Sequence, residues 1–134
     1  CFIKFTSQPI FDALVKNFNI TPRKTFTLKF PNSLNSPELF FSFIVGYIDG
    51  DGCVRKNGKN IIILGNEKFL LSMKNALREY NIDCKVQLHN IGGKIHQLCI
   101  NKDGAYKLFN YACKYFDIIK PLKRKWDRIA NNFL

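Results

Sequence analysis

The chain has 134 residues, 46% of them hydrophobic, with a formal net charge of +11 from 21 basic and 10 acidic side chains. This length and apolar content suffice for one packed domain and exclude a disordered tail. The positive excess predicts a polyanionic partner, with nucleic acid as the first candidate and an anionic membrane surface as the second. No run approaches the roughly 18 apolar residues of a membrane span, and no signal-peptide pattern is present, so we expect an intracellular protein that is cytoplasmic, nuclear or organellar.

The pattern of the first 36 residues predicts a segment that precedes the main domain. Residues 7–19 have the apolar spacing of a short amphipathic helix, and residues 20–31 read as an extended basic segment. Residues 31–37 are rich in Asn, Ser and Pro, which is typical of a linker. We therefore divide the chain into an amino-terminal segment, 1–36, and a domain, 37–134.

The pattern of the domain predicts a β-hairpin followed by a helix, occurring twice. The expected order is helix 38–48, strand 52–57, strand 60–65, helix 67–80, strand 83–89, strand 94–100, helix 103–117 and a basic helix 121–132. Asn57-Gly58 and Gly92-Gly93 supply the hairpin turns. Two such hairpins alternating with helices predict an α+β fold, a four-stranded antiparallel sheet with helices on one face.

The five cysteines are scattered singly, at Cys1, Cys53, Cys84, Cys99 and Cys113. An odd number without a Cys-x-x-Cys pair argues against a disulfide framework, and neither histidine has the cysteine pair of a zinc site. We expect the cysteines to be small buried hydrophobic residues.

Residues 43–52 carry the most informative pattern. An apolar helix ends there in two acids, Asp49 and Asp51, which are separated by glycines. A helix C-terminus already carries partial negative charge, so two carboxylates are repelled there unless a cation is present. Hard divalent cations prefer such oxygen ligands.

The run Ile44-Val45-Gly46-Tyr47-Ile48-Asp49-Gly50-Asp51-Gly52 resembles the nine-position LAGLIDADG motif of homing endonucleases, the enzymes of intron and intein mobility. The resemblance implies the αββαββα fold of that family and metal-dependent hydrolysis of both strands of DNA. It implies that Asp51 is the catalytic acid and binds Mg²⁺, or Mn²⁺ or Ca²⁺ in its place, with help from the carbonyl of Gly50. Asp49 is then structural, Gly46 allows two helices to pack closely, and Gly52 permits a tight turn.

The chain contains one copy of the motif, whereas cleavage of two strands needs two carboxylates. The amino-terminal segment resembles the end of a preceding repeat. The expected partners are therefore double-stranded DNA and a second LAGLIDADG repeat, which lies either upstream in a longer chain or in a homodimer mate. No membrane partner is expected.

Residues 120–128 form a basic run. Such a run is usually the solvated face of a helix, and Trp126 would anchor this helix to the core. The resemblance instead assigns Lys125 to the catalytic water and scissile phosphate, with Lys123 as the alternative. The family also places a polar, water-ordering residue near the end of the second strand. None is evident here unless Asn66 takes that role.

A sheet that reads the major groove needs one polar, basic face. Alternation on the third strand places Lys85, Gln87 and His89 there, whereas the second strand, Ile61 to Leu64, offers little polar readout. The fourth strand is ambiguous, since Gln97 shares the parity of Cys99 whereas His96 shares that of Leu98 and Ile100, and we expect His96 to be partly buried. Arg55 suits guanine and Gln87 suits adenine, whereas lysines near the turns suit phosphates. The full DNA-binding prediction is Arg55, Lys56, Lys59, Lys85, Gln87, His89, Lys94, Gln97, Lys123 and Arg124.

The leading functional hypothesis is a site-specific double-strand DNA endonuclease, or its carboxy-terminal half. It would read the major groove with its sheet and cut across the minor groove. The alternative is a non-cutting DNA- or RNA-binding relative on the same scaffold, such as a maturase or transcription regulator.

Overall fold

A four-stranded antiparallel sheet with helices packed on one face forms the domain, so the predicted α+β architecture is confirmed. The computed structural model describes residues 6–18, 24–90 and 93–132. The strands lie in the order β1-β2-β4-β3. The helices are α1 Gln8–Phe18, α2 Pro37–Asp51, α3 Glu67–Arg78, α4 Lys102–Ala112, α5 Phe116–Ile119 and α6 Lys123–Ala130. The strands are β1 Cys53–Val54, β2 Ile61–Gly65, β3 Cys84–Leu88 and β4 His96–Ile100, and short 3-10 turns span Lys24–Phe26 and Cys113–Tyr115.

Most elements differ from the predicted bounds by one or two residues, and three differ by more. Helix α2 continues through Asp51, so both acids of the motif belong to its last turn. Strand β1 ends at Val54. Beyond it the hairpin makes one more backbone hydrogen bond, from the Arg55 N–H to the Asn60 carbonyl, and then opens into a loop. The single helix predicted over 103–117 is broken after Ala112 and resumes as the four-residue α5. The second predicted turn lies partly outside the described residues, since Gly92 is not among them.

The core lies between the helices and the inner face of the sheet. Its centre is α2, whose Phe41, Ile44, Val45 and Ile48 are fully buried. Alternate residues of the central strands face these side chains, namely Ile61, Ile63, Leu98 and Ile100. Burial of this apolar area is the main force that holds α2, and hence its acidic end, against the sheet. None of the helices in the described ranges is long and apolar enough to cross a membrane.

The segment before α2 packs onto the domain, although the sequence predicted an appendage and a linker there. Leu28, Phe30 and Leu34 are partly buried against the core. The ring of Phe30 lies 5.5 Å from that of Phe43 and 5.8 Å from that of Phe69. This part of the amino-terminal segment is therefore in contact with the core of the domain. Helix α1, in contrast, leaves Ile10, Phe11 and Leu14 exposed.

The cysteine prediction is wrong for two of the four described cysteines. Cys53 and Cys113 are exposed, whereas Cys84 and Cys99 are partly buried, and all four are free thiols. Burial raises the pKa of Cys84 to about 11. Cys53 is exposed because it occupies the outward position of the first strand, opposite the buried Val54.

Replacing Gly58 by alanine is expected to destabilise the domain by about 3 kcal/mol. Gly58 has φ +64°, and a Cβ there would collide with the carbonyl group of Arg128 at the end of α6. Urea unfolding measures the effect, with Gly50→Ala as the matched control, since a Cβ at Gly50 meets nothing within 4 Å. Equal stability of the two variants would contradict the close approach of the hairpin loop to α6.

Candidate functional site

The C-terminal end of α2 is closed by a lysine from α6. The ammonium group of Lys125 donates hydrogen bonds to the carbonyl oxygens of Ile48 at 2.7 Å, Asp49 at 2.9 Å and Gly52 at 2.6 Å. These use all three of its donors. They also place a full positive charge at the negative end of the helix dipole, which stabilises the helix.

Lys125 is buried, with 7% of its surface exposed, whereas its neighbours Lys123 and Arg124 are exposed. Burial lowers the pKa of Lys125, and the nearby Asp49 carboxylate opposes that change. The cation that an acidic helix end requires is thus supplied within the chain. Of Lys123 and Lys125, Lys125 is the one that points inward. Its hydrogen bonds go to backbone carbonyls, so a contact with water or phosphate would require it to exchange one of them.

Asp49 joins the end of α2 to the start of α6. One carboxylate oxygen accepts the Leu122 N–H at 2.8 Å, and the other accepts the Trp126 indole N–H at 2.9 Å. Trp126 is itself buried against the core. This bonding agrees with the structural role predicted for Asp49, and it holds α6 in the position from which Lys125 reaches α2.

Asp51 differs from Asp49 in having no such partner. It is exposed, and within the described part of the chain no donor forms a hydrogen bond or ion pair with its carboxylate. The Gly50 carbonyl beside it is not among the three that Lys125 binds. Gly52 is required next to it, because a Cβ there would lie 2.7 Å from the Ile48 Cα. The helix therefore presents at its tip one carboxylate without a hydrogen-bonding partner among the described residues, and a nearby carbonyl oxygen.

These two oxygen ligands have the chemistry that Mg²⁺ prefers, but they are too few to hold it alone. Among the described residues, no group of three or more His, Cys, Asp or Glu side chains is placed to bind a metal ion.

A cleft of about 110 Å³ lies beside Asp51, between α2 and the segment that precedes it. Tyr47 lines the cleft, and burial together with the Asp51 charge raises the pKa of its hydroxyl group. Asn66 also lines it, but its amide is fully used: Nδ2 donates to the carbonyls of Thr25 and Leu28, and Oδ1 caps α3 through the Phe69 N–H. Asn66 therefore does not replace the missing water-ordering residue of the second strand. Sequence reasoning missed Tyr47 at this position, and the signal for it was the four-residue helical spacing from Asp51.

One side of α2 is open to solvent. Gly46 and Gly50 are exposed, and Leu39 on the same side of the helix is 50% exposed. A Cβ built at Gly46 or Gly50 meets nothing within 4 Å. The described part of the chain therefore gives no packing reason for either glycine, in contrast with Gly52 and Gly58.

The outer face of the sheet carries two rows of side chains, because residues paired across antiparallel strands point to the same side. The first row is Cys53, Ile62, Cys99 and Lys85. The second is Leu64, Gln97 and Gln87. The predicted outward positions of Arg55, Lys85 and Gln87 are exposed, and Gln97 is half-buried on the same face.

The other predicted DNA-binding residues lie at the margins of this face. Lys56, Lys59 and Lys94 are exposed near the hairpin loops. His89 is exposed, and its Nδ1 lies 3.1 Å from Oε1 of Gln97. His96 has the inward parity and is partly buried, as predicted, with Nε2 3.9 Å from a carboxylate oxygen of Glu67.

The fold and the site together define an α+β domain that presents an acidic helix tip beside a polar and basic sheet face. Neither a model of a known protein family nor a curated protein sequence matches this chain.

Proposed function

We propose that the chain is one half of a site-specific, metal-dependent DNA endonuclease with the LAGLIDADG homing-endonuclease fold. Its sheet would read the major groove, and two Asp51-type carboxylates would cut the strands across the minor groove. The observation that carries the proposal is Asp51 itself. Its carboxylate is exposed at the helix tip and has no hydrogen-bonding partner among the described residues, whereas Asp49, two residues earlier, accepts two hydrogen bonds.

A second copy of the motif accounts for the open side of α2. Glycines at Gly46 and Gly50 let two helix backbones approach closely, and Leu39 gives the contact apolar area. Such packing would bring two helix tips together, each with its Asp51 carboxylate and Gly50 carbonyl. The second copy is a homodimer mate or a preceding repeat of a longer protein.

The bound metal ion would activate the attacking water and neutralise charge on the phosphate. The protein's part is to hold the tip rigid. Lys125 and the core side of α2 fix the backbone of the last turn, and Asp49 is held by α6. Of the two acids at the tip, Asp51 is therefore the one left to bind a cation. The net charge of +11 favours binding of the DNA backbone.

Replacing Gly46 by alanine is expected to have opposite effects on folding and on pairing. It should raise the free energy of unfolding of the single chain by about 0.5–1 kcal/mol, because alanine favours the helix and meets no other atom. It should weaken association of the two copies on DNA, because the added methyl separates the helices. Urea unfolding and sedimentation of the DNA complex measure the two effects, and tighter association by the variant would count against the helix pair.

The function is tested by selecting binding sites from a randomised DNA duplex library and placing the selected site in a plasmid. The dimer, or this chain joined to a second repeat, should convert the plasmid to linear DNA with Mg²⁺ and leave it intact with EDTA. Tight, metal-independent binding without cleavage under any divalent cation would instead support the non-cutting alternative. Exposed residues such as Arg55 and Lys85 would serve either function.

A further inference from the structure

The outer face of the sheet contains an apolar column that the polar reading residues do not explain. Ile62 and Leu64 on β2 both point outward, and Leu64 is 40% exposed. Cys53 and Cys99 flank Ile62 on the neighbouring strands. In a sheet that reads DNA only through hydrogen bonds and charge, these positions would carry polar side chains.

We propose that Ile62 and Leu64 recognise the C5-methyl groups of thymine in the major groove, so that the bound half-site contains thymines opposite this column. The proposal rests on the proposed function, and it names part of the sequence that the sheet reads. The thymine methyl group is the apolar feature of base edges in the major groove, and an apolar side chain is its usual protein contact.

The surroundings of the column favour DNA over a protein partner. The first row ends in Lys85, and Arg55 lies on the same face. Burial raises the pKa of the Cys99 thiol, and the nearby cations of Arg55 and Lys85 oppose that rise. Cations thus lie directly beside the apolar side chains. A protein interface buries about 800 Å² on each partner, which is far more than two or three side chains supply.

Strand geometry sets the spacing of the contacts. Ile62 and Leu64 are two residues apart on one strand, so their side chains lie about 6.8 Å apart. Successive base pairs are stacked about 3.4 Å apart. The two thymines are therefore expected about two base pairs from each other, with the one at Leu64 closer to the cut, because Leu64 and Asp51 line the same cleft.

The adjacent amides complete the reading of these base pairs. Leu64 is paired with Gln97, which is paired with Gln87 on β3. A glutamine can make two hydrogen bonds to adenine, the base that pairs with thymine. The second row is thus suited to an A·T pair, because its leucine would contact the thymine and a glutamine would bind the adenine.

The test uses the full chain and duplexes selected from a randomised library, in which each thymine is then replaced by deoxyuridine. Uracil pairs as thymine does but lacks the methyl group. Binding to the selected duplex should weaken about fourfold at each of the two contacted positions, the value of one buried methyl group. Replacement at other positions should leave the affinity unchanged.

Variants assign the effect to the column. Leu64→Ala should remove the sensitivity to uracil at one position and keep it at the other. Leu71→Ala is the matched control, because Leu71 is 41% exposed but lies on α3, away from the sheet face. It should behave as the unchanged protein does.

Three outcomes separate the proposals. Thymine recognition is supported if deoxyuridine lowers the affinity at two positions and Leu64→Ala abolishes the effect at one of them. Sequence-specific binding that is indifferent to uracil overturns this inference and leaves the endonuclease proposal standing. Failure to select any sequence, alone or with a second repeat attached, contradicts the proposed function and this inference with it.

Discussion

Asp51→Asn is expected to abolish DNA cleavage while leaving the stability of the domain nearly unchanged. Cleavage should fall by at least about a thousandfold, because the neutral amide binds a metal ion more weakly than a carboxylate and lacks the charge that the reaction needs. The free energy of unfolding should change by no more than about 0.5 kcal/mol, because the side chain is exposed and accepts no hydrogen bond from the described residues. Plasmid cleavage with Mg²⁺ and urea unfolding measure the two effects.

Asp49→Asn is the matched control, two residues earlier in the same turn. Both oxygens of Asp49 accept hydrogen bonds, from Leu122 and Trp126, and an amide can accept only one of them. The variant should therefore lose about 2 kcal/mol of stability, because one donor is left facing the amide nitrogen. If Asp51→Asn were the destabilised variant, or if it still cut DNA, the division of roles between the two acids would be wrong.

Lys125→Met is expected to destabilise the domain by about 3 kcal/mol. Methionine fills similar space but leaves the carbonyls of Ile48, Asp49 and Gly52 without the ammonium group that now binds them. The end of α2 would loosen, and Asp51 with it. Lys123→Met is the control, because Lys123 is exposed on the same helix, and its replacement should change the stability by no more than about 0.5 kcal/mol.

The same pair of variants tests whether Lys125 also acts on the phosphate, as the resemblance implies. A residue that only positions the helix end should lower cleavage in proportion to the folded fraction, and conditions that restore folding should restore cutting. A folded Lys125→Met protein that binds DNA and Mg²⁺ but does not cut would show that the ammonium group takes part in the reaction.

The sequence predicted the architecture because its hydrophobic periodicity and turn signals agree with each other. The alternation of Val86 and Lys85 and the Asn57-Gly58 turn were sufficient to place two hairpins in the correct order. Gly58 has a positive φ, as a glycine in a tight turn can, but the strand before it is shorter than predicted.

The site was harder to predict, because its contacts join residues more than 70 positions apart. The sequence predicted that the acidic helix end needs a cation, but nothing in the sequence shows that Lys125 lies at that end. Asn66 lies at the expected end of β2, yet its amide bonds to carbonyls some 40 residues earlier in the chain. Those tertiary hydrogen bonds depend on how the segment before α2 folds back, which local patterns do not encode.

The central claim is that two Asp51 carboxylates, one from each of two paired helices, cut the two strands of DNA. The direct measurement is plasmid cleavage by a tandem protein, two copies of this chain joined by a flexible linker, on an inverted repeat of the selected half-site. The parent tandem should produce linear DNA with Mg²⁺, and the tandem with Asp51→Asn in one copy should produce only a nicked circle. Linear DNA from the half-mutated tandem, or intact supercoiled DNA from the parent, would contradict the account.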